Sequence, residues 1–304
     1  MSQSASAQQS MHGKTVLITG GARGMGRITA LALAQRGAHV IIADWAGEHG
    51  VRTCAQINAA AQGSAEFIYC DISDLDSVRA LAASVTRRHE QLHVLLNNAG
   101  ITYPQRQLNA EGVEMHFATC HLGHFLLTQL LLETLKASAP ARVIFVSSEG
   151  HKACKGVNFE DLNNAALWAG KPVSHGAAFM AYSRAKLCNI HTMRALHAHL
   201  AGSGVSVNAI SPGFFVNTGI HREMRGIFKW GAALVFGLGS LLGFGNPRKA
   251  ARTHIWAASA PELEAVSGQY FGNCRPIATC PQADDEAQRQ RVWEISMQMT
   301  GLGG

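Results

Sequence analysis

The chain has 304 residues, 47% of them hydrophobic and 15% charged. That is ample material for a core and excludes a disordered, collagen-like or coiled-coil chain. Its 26 Lys and Arg exceed 20 Asp and Glu by six, yet the basic residues are scattered, so no nucleic-acid partner is expected. The seven cysteines include no CxxC pair, which points to reduced thiols in a reducing compartment. Residues 1–13 are polar and lack the apolar stretch of a signal peptide. A flexible tail and a cytoplasmic protein are the expectation.

From residue 14 the pattern alternates. Apolar runs at 15–18, 40–43, 67–69, 94–96, 143–146 and 205–210 read as strands, and helical spacing fills 25–36, 47–62, 74–90, 111–137 and 178–202. Near-continuous apolar strands separated by helices predict an α/β fold: a single doubly wound parallel sheet (Rossmann-type), with helices on both faces and a substrate lid, in one domain over 14–304. The first strand runs into Thr19-Gly20-Gly21-Ala22-Arg23-Gly24-Met25-Gly26 and then a helix. Glycines there permit a tight turn, and the helix N-terminus offers free N–H groups to a diphosphate. Asp44 ends the second strand, 18 residues after Gly26, where a carboxylate meets the adenosine ribose and repels a 2′-phosphate. This favours NAD over NADP; Arg23 is the counter-signal. Asp71, after the third strand, either receives the adenine amino group or caps the next helix. The segment 226–245 is apolar and about as long as a membrane span. Its glycines and Lys229 favour a lid over 214–245, with a surface-lying membrane or partner contact as the other reading.

Together Thr19-Gly20-x3-Gly24-x-Gly26, Asn97-Asn98-Ala99-Gly100, Val146-Ser147-Ser148, Tyr182-x3-Lys186 and Pro212-Gly213 resemble the short-chain dehydrogenase/reductase family over about residues 14–272. His121-Leu122-Gly123-His124-Phe125-Leu126-Leu127-Thr128 is similar to its retinol dehydrogenase and WW-domain oxidoreductase branch, and Ala181–Asn189 with Val292–Ser296 resembles protochlorophyllide reductase. The resemblance implies that Gly20, Arg23, Gly24, Met25 and Gly26 line the diphosphate loop. It places Asp71 and Ile72 beside adenine, and Asn98, Ala99 and Gly100 beneath the cofactor ribose. Pro212 and Gly213 would lead to a nicotinamide contact at Thr218, with Asn217 the alternative phase. Where the family has Asn, this chain has Cys120, which puts proton relay in doubt. A homodimer or homotetramer is expected by the same analogy.

Tyr182 and Lys186 lie four apart on a predicted helix, on one face. A nearby ammonium would lower the phenol pKa, so that Tyr182 takes or gives the alcohol proton while Lys186 holds ribose hydroxyls. Ser148 would hydrogen-bond the reacting oxygen, with Ser147 the alternative, and residues 150–178 read as an insertion over the pocket. The histidines, among them His121, His124, His191, His197 and His199, suggest no metal site. The expected function is NAD-dependent, reversible hydride transfer on a secondary or allylic alcohol or carbonyl of a hydrophobic small molecule: retinoid-, steroid-, isoprenoid- or aromatic-like. An NADPH-dependent carbonyl reductase, a catalytically weak NAD-binding partner protein and a light-driven tetrapyrrole reductase are the alternatives.

Overall fold

The computed structural model describes residues 10–213 and 246–303. Eight strands make one sheet: β1 (Thr15–Thr19), β2 (His39–Asp44), β3 (Ser64–Tyr69), β4 (Val94–Asn97), β5 (Ala141–Val146), β6 (Val205–Ser211), β7 (Tyr270–Gly272) and β8 (Arg275–Pro276). Their spatial order is β3-β2-β1-β4-β5-β6-β7-β8. The first seven run parallel, and β8 pairs antiparallel to β7. The chain moves outward from β1 to β3, then returns to place β4 on the other side of β1. That reversal opens a crevice beyond the C-terminal ends of β1 and β4, where such sheets hold ligands.

The helices are α1 (Gly24–Gln35), α2 (Gly47–Ala60), α3 (Leu75–Arg88), α4 (Met115–Phe117), α5 (Gly123–Ala137), α6 (His175–His199), α7 (Pro247–Ser259) and α8 (Glu286–Met299). Strand side chains alternate between two buried layers. Leu17, Ile41, Leu95 and Val143 pack with Val78 and Leu81 on α3, and with Leu131 and Leu187 on α5 and α6. Val16, Ile18, Val40, Ile42, Leu96 and Ile144 pack with Leu33, Ile57 and Ala258 from α1, α2 and α7. Both faces are covered, which is why the strands read as continuous apolar runs.

Three boundaries differ from the sequence reading. Met11 is buried and its N–H donates to Arg36 O at 2.8 Å, so the expected tail of 1–13 is too long. α6 starts at His175 because the Ser174 side chain caps it, accepting from Ala177 N at 3.2 Å. α4 passes into α5 through a π-helical turn at Ala118–Leu122. Phe214–Val216, Asn217, Thr218 and the segment 226–245 lie outside the described residues, as does the expected lid.

Candidate active site

The glycine loop joins β1 to α1. Gly20 has φ +66°, and a Cβ at Gly26 would stand 2.2 Å from Gly20 O. Neither position accepts a side chain, and the backbone can therefore lie close to a ligand. Arg23 at the start of α1 makes no side-chain cap, so the helix presents its first N–H groups toward the crevice. This loop fits a diphosphate. It is pinned from below: Thr19 Oγ1 accepts from Asn98 N at 2.9 Å and Ala99 N at 3.0 Å. Asn98 Nδ2 donates back to Thr19 O at 2.8 Å. With both lone pairs of Thr19 Oγ1 engaged, its proton points to His124 Nε2, 2.9 Å away.

Asp44 is buried at the end of β2. Its carboxylate accepts from Ala22 N at 3.0 Å and Ala46 N at 2.9 Å, which ties it to the glycine loop while leaving acceptor capacity for a ribose. The neighbouring Trp45 is exposed, and the Arg23 guanidinium lies 5.3 Å from its ring centroid. Asp71 is not the cap of α3, which corrects one of its two readings. Asp74 caps that helix, accepting from Asp76 N and Ser77 N. Asp71 instead folds the turn before it, taking Ser73 N at 2.9 Å and Ser73 Oγ at 2.7 Å. Ile72 is buried beneath this turn, and its carbonyl packs against Gly123 at the head of α5.

The three residues with chemistry converge beyond β5. Ser148 follows the strand; its Oγ accepts from Gly150 N at 3.0 Å, and it is near enough to Tyr182 to favour the phenolate. Ser147 is committed elsewhere: it is buried and its Oγ donates to Lys186 O at 2.8 Å. Lys186 Nζ is buried, donates to Val146 O at 2.7 Å and lies 5.5 Å from the Tyr182 ring centroid. Burial pushes the Tyr182 phenol up, Cys120 adds to the rise and Ser148 opposes it. Burial pushes the Lys186 ammonium down. The expected lowering of the phenol by the ammonium is not seen here: burial is the largest influence on Tyr182, and Lys186 is not among the others.

Ser148 has a fixed frame. His151 Nδ1 donates to Ser148 O at 2.6 Å, and its Nε2 accepts from Cys280 N at 3.1 Å. The imidazole thus bridges the reactive strand end to the segment after β8. Cys120, in the π turn, lies against Ile101 O at 3.8 Å, and burial pushes its thiol up. His121, His124 and His191 are fully buried. His121 joins α8 through Ser296 Oγ at 2.8 Å, and His124 carries the loop contact described above.

Sequence reasoning named the insertion over 150–178 but not the contacts that hold it. The loop after β4 is held by the insertion: Trp168 Nε1 donates to Pro104 O at 3.0 Å and Ser174 N to the same oxygen at 2.7 Å. Behind it, the buried pair Glu114 and His116 closes at 2.5 Å, with His116 Nε2 accepting from Tyr103 N at 3.1 Å. Phe179, one turn before Tyr182, is exposed and lies beside Gly150, near Ser148. Only its place on the folded helix reveals it.

Residues 14–157 match the family model for short chain dehydrogenases. Retinol dehydrogenase 14 of Homo sapiens is 40% identical over 307 residues, spanning 96% of this chain and 88% of that protein. The chain belongs to the short-chain dehydrogenase family. The WW domain-containing oxidoreductase of Danio rerio is 35% identical over 295 residues, covering 95% of this chain and 68% of that one. Among solved structures of this family's fold, an uncharacterized protein from Mycobacterium paratuberculosis superposes with a TM-score of 0.74 at 31% identity, covering 96% of this chain and 95% of its own. The NADP active-site complex of Pseudomonas aeruginosa RhlG does so with a TM-score of 0.67 at 27% identity, over 86% and 95%. As a short-chain dehydrogenase the protein is an NAD(P)-dependent oxidoreductase.

Proposed function

We propose that the protein transfers hydride reversibly between NAD and a secondary or allylic alcohol or carbonyl on a hydrophobic molecule. The observation that carries this reading is the convergence of Ser148, Tyr182 and Lys186 beside the crevice that the glycine loop opens. When bound, the dinucleotide supplies or accepts the hydride. Ser148 Oγ–H and Tyr182 Oη–H hold the substrate oxygen between them, which fixes the reacting carbon. In reduction Tyr182 gives its proton to that oxygen; in oxidation it takes the proton away. Lys186, with one N–H on Val146 O, directs its others to ribose hydroxyls and stabilises the phenolate as it forms. Exposed Phe179 and Val173 and the wall around Trp168 supply apolar contact area for the substrate.

Asp44 supports NAD as the cofactor, since a buried carboxylate tied to the loop opposes a 2′-phosphate. The purified protein with NAD and a panel of retinoid, steroid, isoprenoid and aromatic alcohols tests the proposal. Turnover of at least one, abolished by Tyr182→Phe with NAD binding intact, supports it. NAD binding without turnover across the panel refutes it and leaves a nucleotide-binding partner protein. The second reading, an NADPH-dependent carbonyl reductase, is favoured by the Arg23 guanidinium over Trp45 at the mouth of the loop. A lower Kd for NADPH than for NADH would select it.

A further inference from the structure

At the other end of the sheet, three side chains from three elements converge. His39 opens β2, Glu66 is the third residue of β3, and His89 closes α3 as its C-cap. The register pairs His39 with Ser64 and Ile41 with Glu66. Alternate residues share a face, so His39 and Glu66 stand on the side of Ile41, the side α3 covers. His39 Nε2 is 3.4 Å from Glu66 Oε1, His89 Nε2 is 2.5 Å from the same oxygen, and all three donor atoms lie within 4.8 Å of one another.

We propose that His39 Nε2, Glu66 Oε1 and His89 Nε2 bind one divalent transition cation of the zinc class, with water in the fourth position. Two imidazoles and one carboxylate suit such an ion, and a tetrahedral site with bonds of about 2.0–2.1 Å spaces its donors about 3.4 Å apart. The His39–Glu66 separation already has that value. His89 must open by about 1 Å, a small side-chain rotation where the helix has ended. Its Nε2 is buried and, despite the short approach, makes no hydrogen bond of adequate geometry. Two neighbours orient the donors. Ser64 Oγ lies 2.7 Å from His39 Nδ1, so that on cation binding it accepts the Nδ1–H while Nε2 gives up its proton in favour of the metal, as partners of metal-bound imidazoles do. Arg88 holds Glu66 Oε2, which leaves Oε1 to face both imidazoles. Its positive charge opposes the cation, so micromolar affinity is expected. The side chains of His39, Glu66 and His89 are 33%, 18% and 16% exposed, which admits a water ligand. His39 lies five residues before Asp44 on β2, about 17 Å along the strand. The cation therefore clamps the edge of the sheet to α3 and takes no part in hydride transfer.

The test uses the full chain, stripped with a chelator and titrated with Co2+ and then Zn2+. The expected result is one Co2+ per chain, with the visible absorption bands of a tetrahedral nitrogen–oxygen site, displaced by Zn2+. Zn2+ should raise Tm. His39→Gln, Glu66→Gln and His89→Gln should each weaken binding at least about tenfold and remove the Tm shift, while His49→Gln, at an exposed histidine on α2, should change neither. Circular dichroism checks that the variants fold. Absence of the Co2+ bands, or stoichiometric binding that persists in the variants, overturns the proposal. Because binding and Tm are read without substrate, the result is independent of the activity test.

Discussion

Tyr182 meets two opposed demands. Burial pushes its pKa up, which makes the phenol a ready proton donor and a reluctant acceptor. The alcohol-oxidation rate should therefore rise with pH through the alkaline range, and carbonyl reduction should fall off only above it; parallel pH profiles in the two directions check this. Tyr182→Phe should lower kcat by about 10²–10⁴-fold, and Ser148→Ala by about 10²–10³-fold, with cofactor Kd little changed in Ser148→Ala. Ser147→Ala should act differently, through stability, because its hydroxyl is spent on Lys186 O. Asp44 also has two jobs. Asp44→Asn should narrow the preference for NADH over NADPH, measured as a ratio of Kd values, since it removes the charge and keeps an acceptor for one loop N–H.

At the scale of elements, the turn before α3 separates two neighbouring aspartates. Asp74→Ala should cost about 1 kcal/mol in urea unfolding, the usual loss of a helix cap, and leave KM for the dinucleotide unchanged. Asp71→Ala should raise that KM if the adenine is read there. The sequence could not divide these roles, because both residues precede the same helical pattern and only the backbone shows which one faces Asp76 N. Other elements were legible for a plain reason. β1, β2, β5 and β6 are buried on both faces, and apolar runs with such burial announce themselves. β3 was read only from Phe67 because Ser64 and Glu66 are polar positions at the edge of the sheet. β7 and β8 have three and two residues, too few to show a period. The π turn at Ala118–Leu122 leaves no mark in side-chain chemistry. The proposed catalytic motifs were visible by spacing; the imidazoles packed beside them were not, because a histidine's partner is defined by packing.

The molecule as a whole carries many of its histidines inside. Burial holds His121 and His124 at about 3, against 6.5 for a free imidazole, and His191 and His254 at about 4. Between pH 6.5 and those values the unfolded chain binds protons that the folded one refuses. Their contribution to stability is thus fully present above about pH 6.5 and declines as pH falls below it. Each fully buried imidazole adds a slope of up to about 1.4 kcal/mol per pH unit. Urea unfolding at about pH 7.5 and 5.5 should show the loss, and His121→Gln should reduce its pH dependence. The contact of His151 with Cys280 N has a consequence for the order of assembly. Ser148, Tyr182 and Lys186 are all synthesised by residue 186, but this anchor lies far beyond them in the chain. A nascent chain that has not yet reached Cys280 has its nucleotide loop and its phenol, yet lacks this latch on the strand end that carries Ser148. Loss of the chain from Cys280 onward should therefore loosen Ser148 and lower kcat without removing a reacting group.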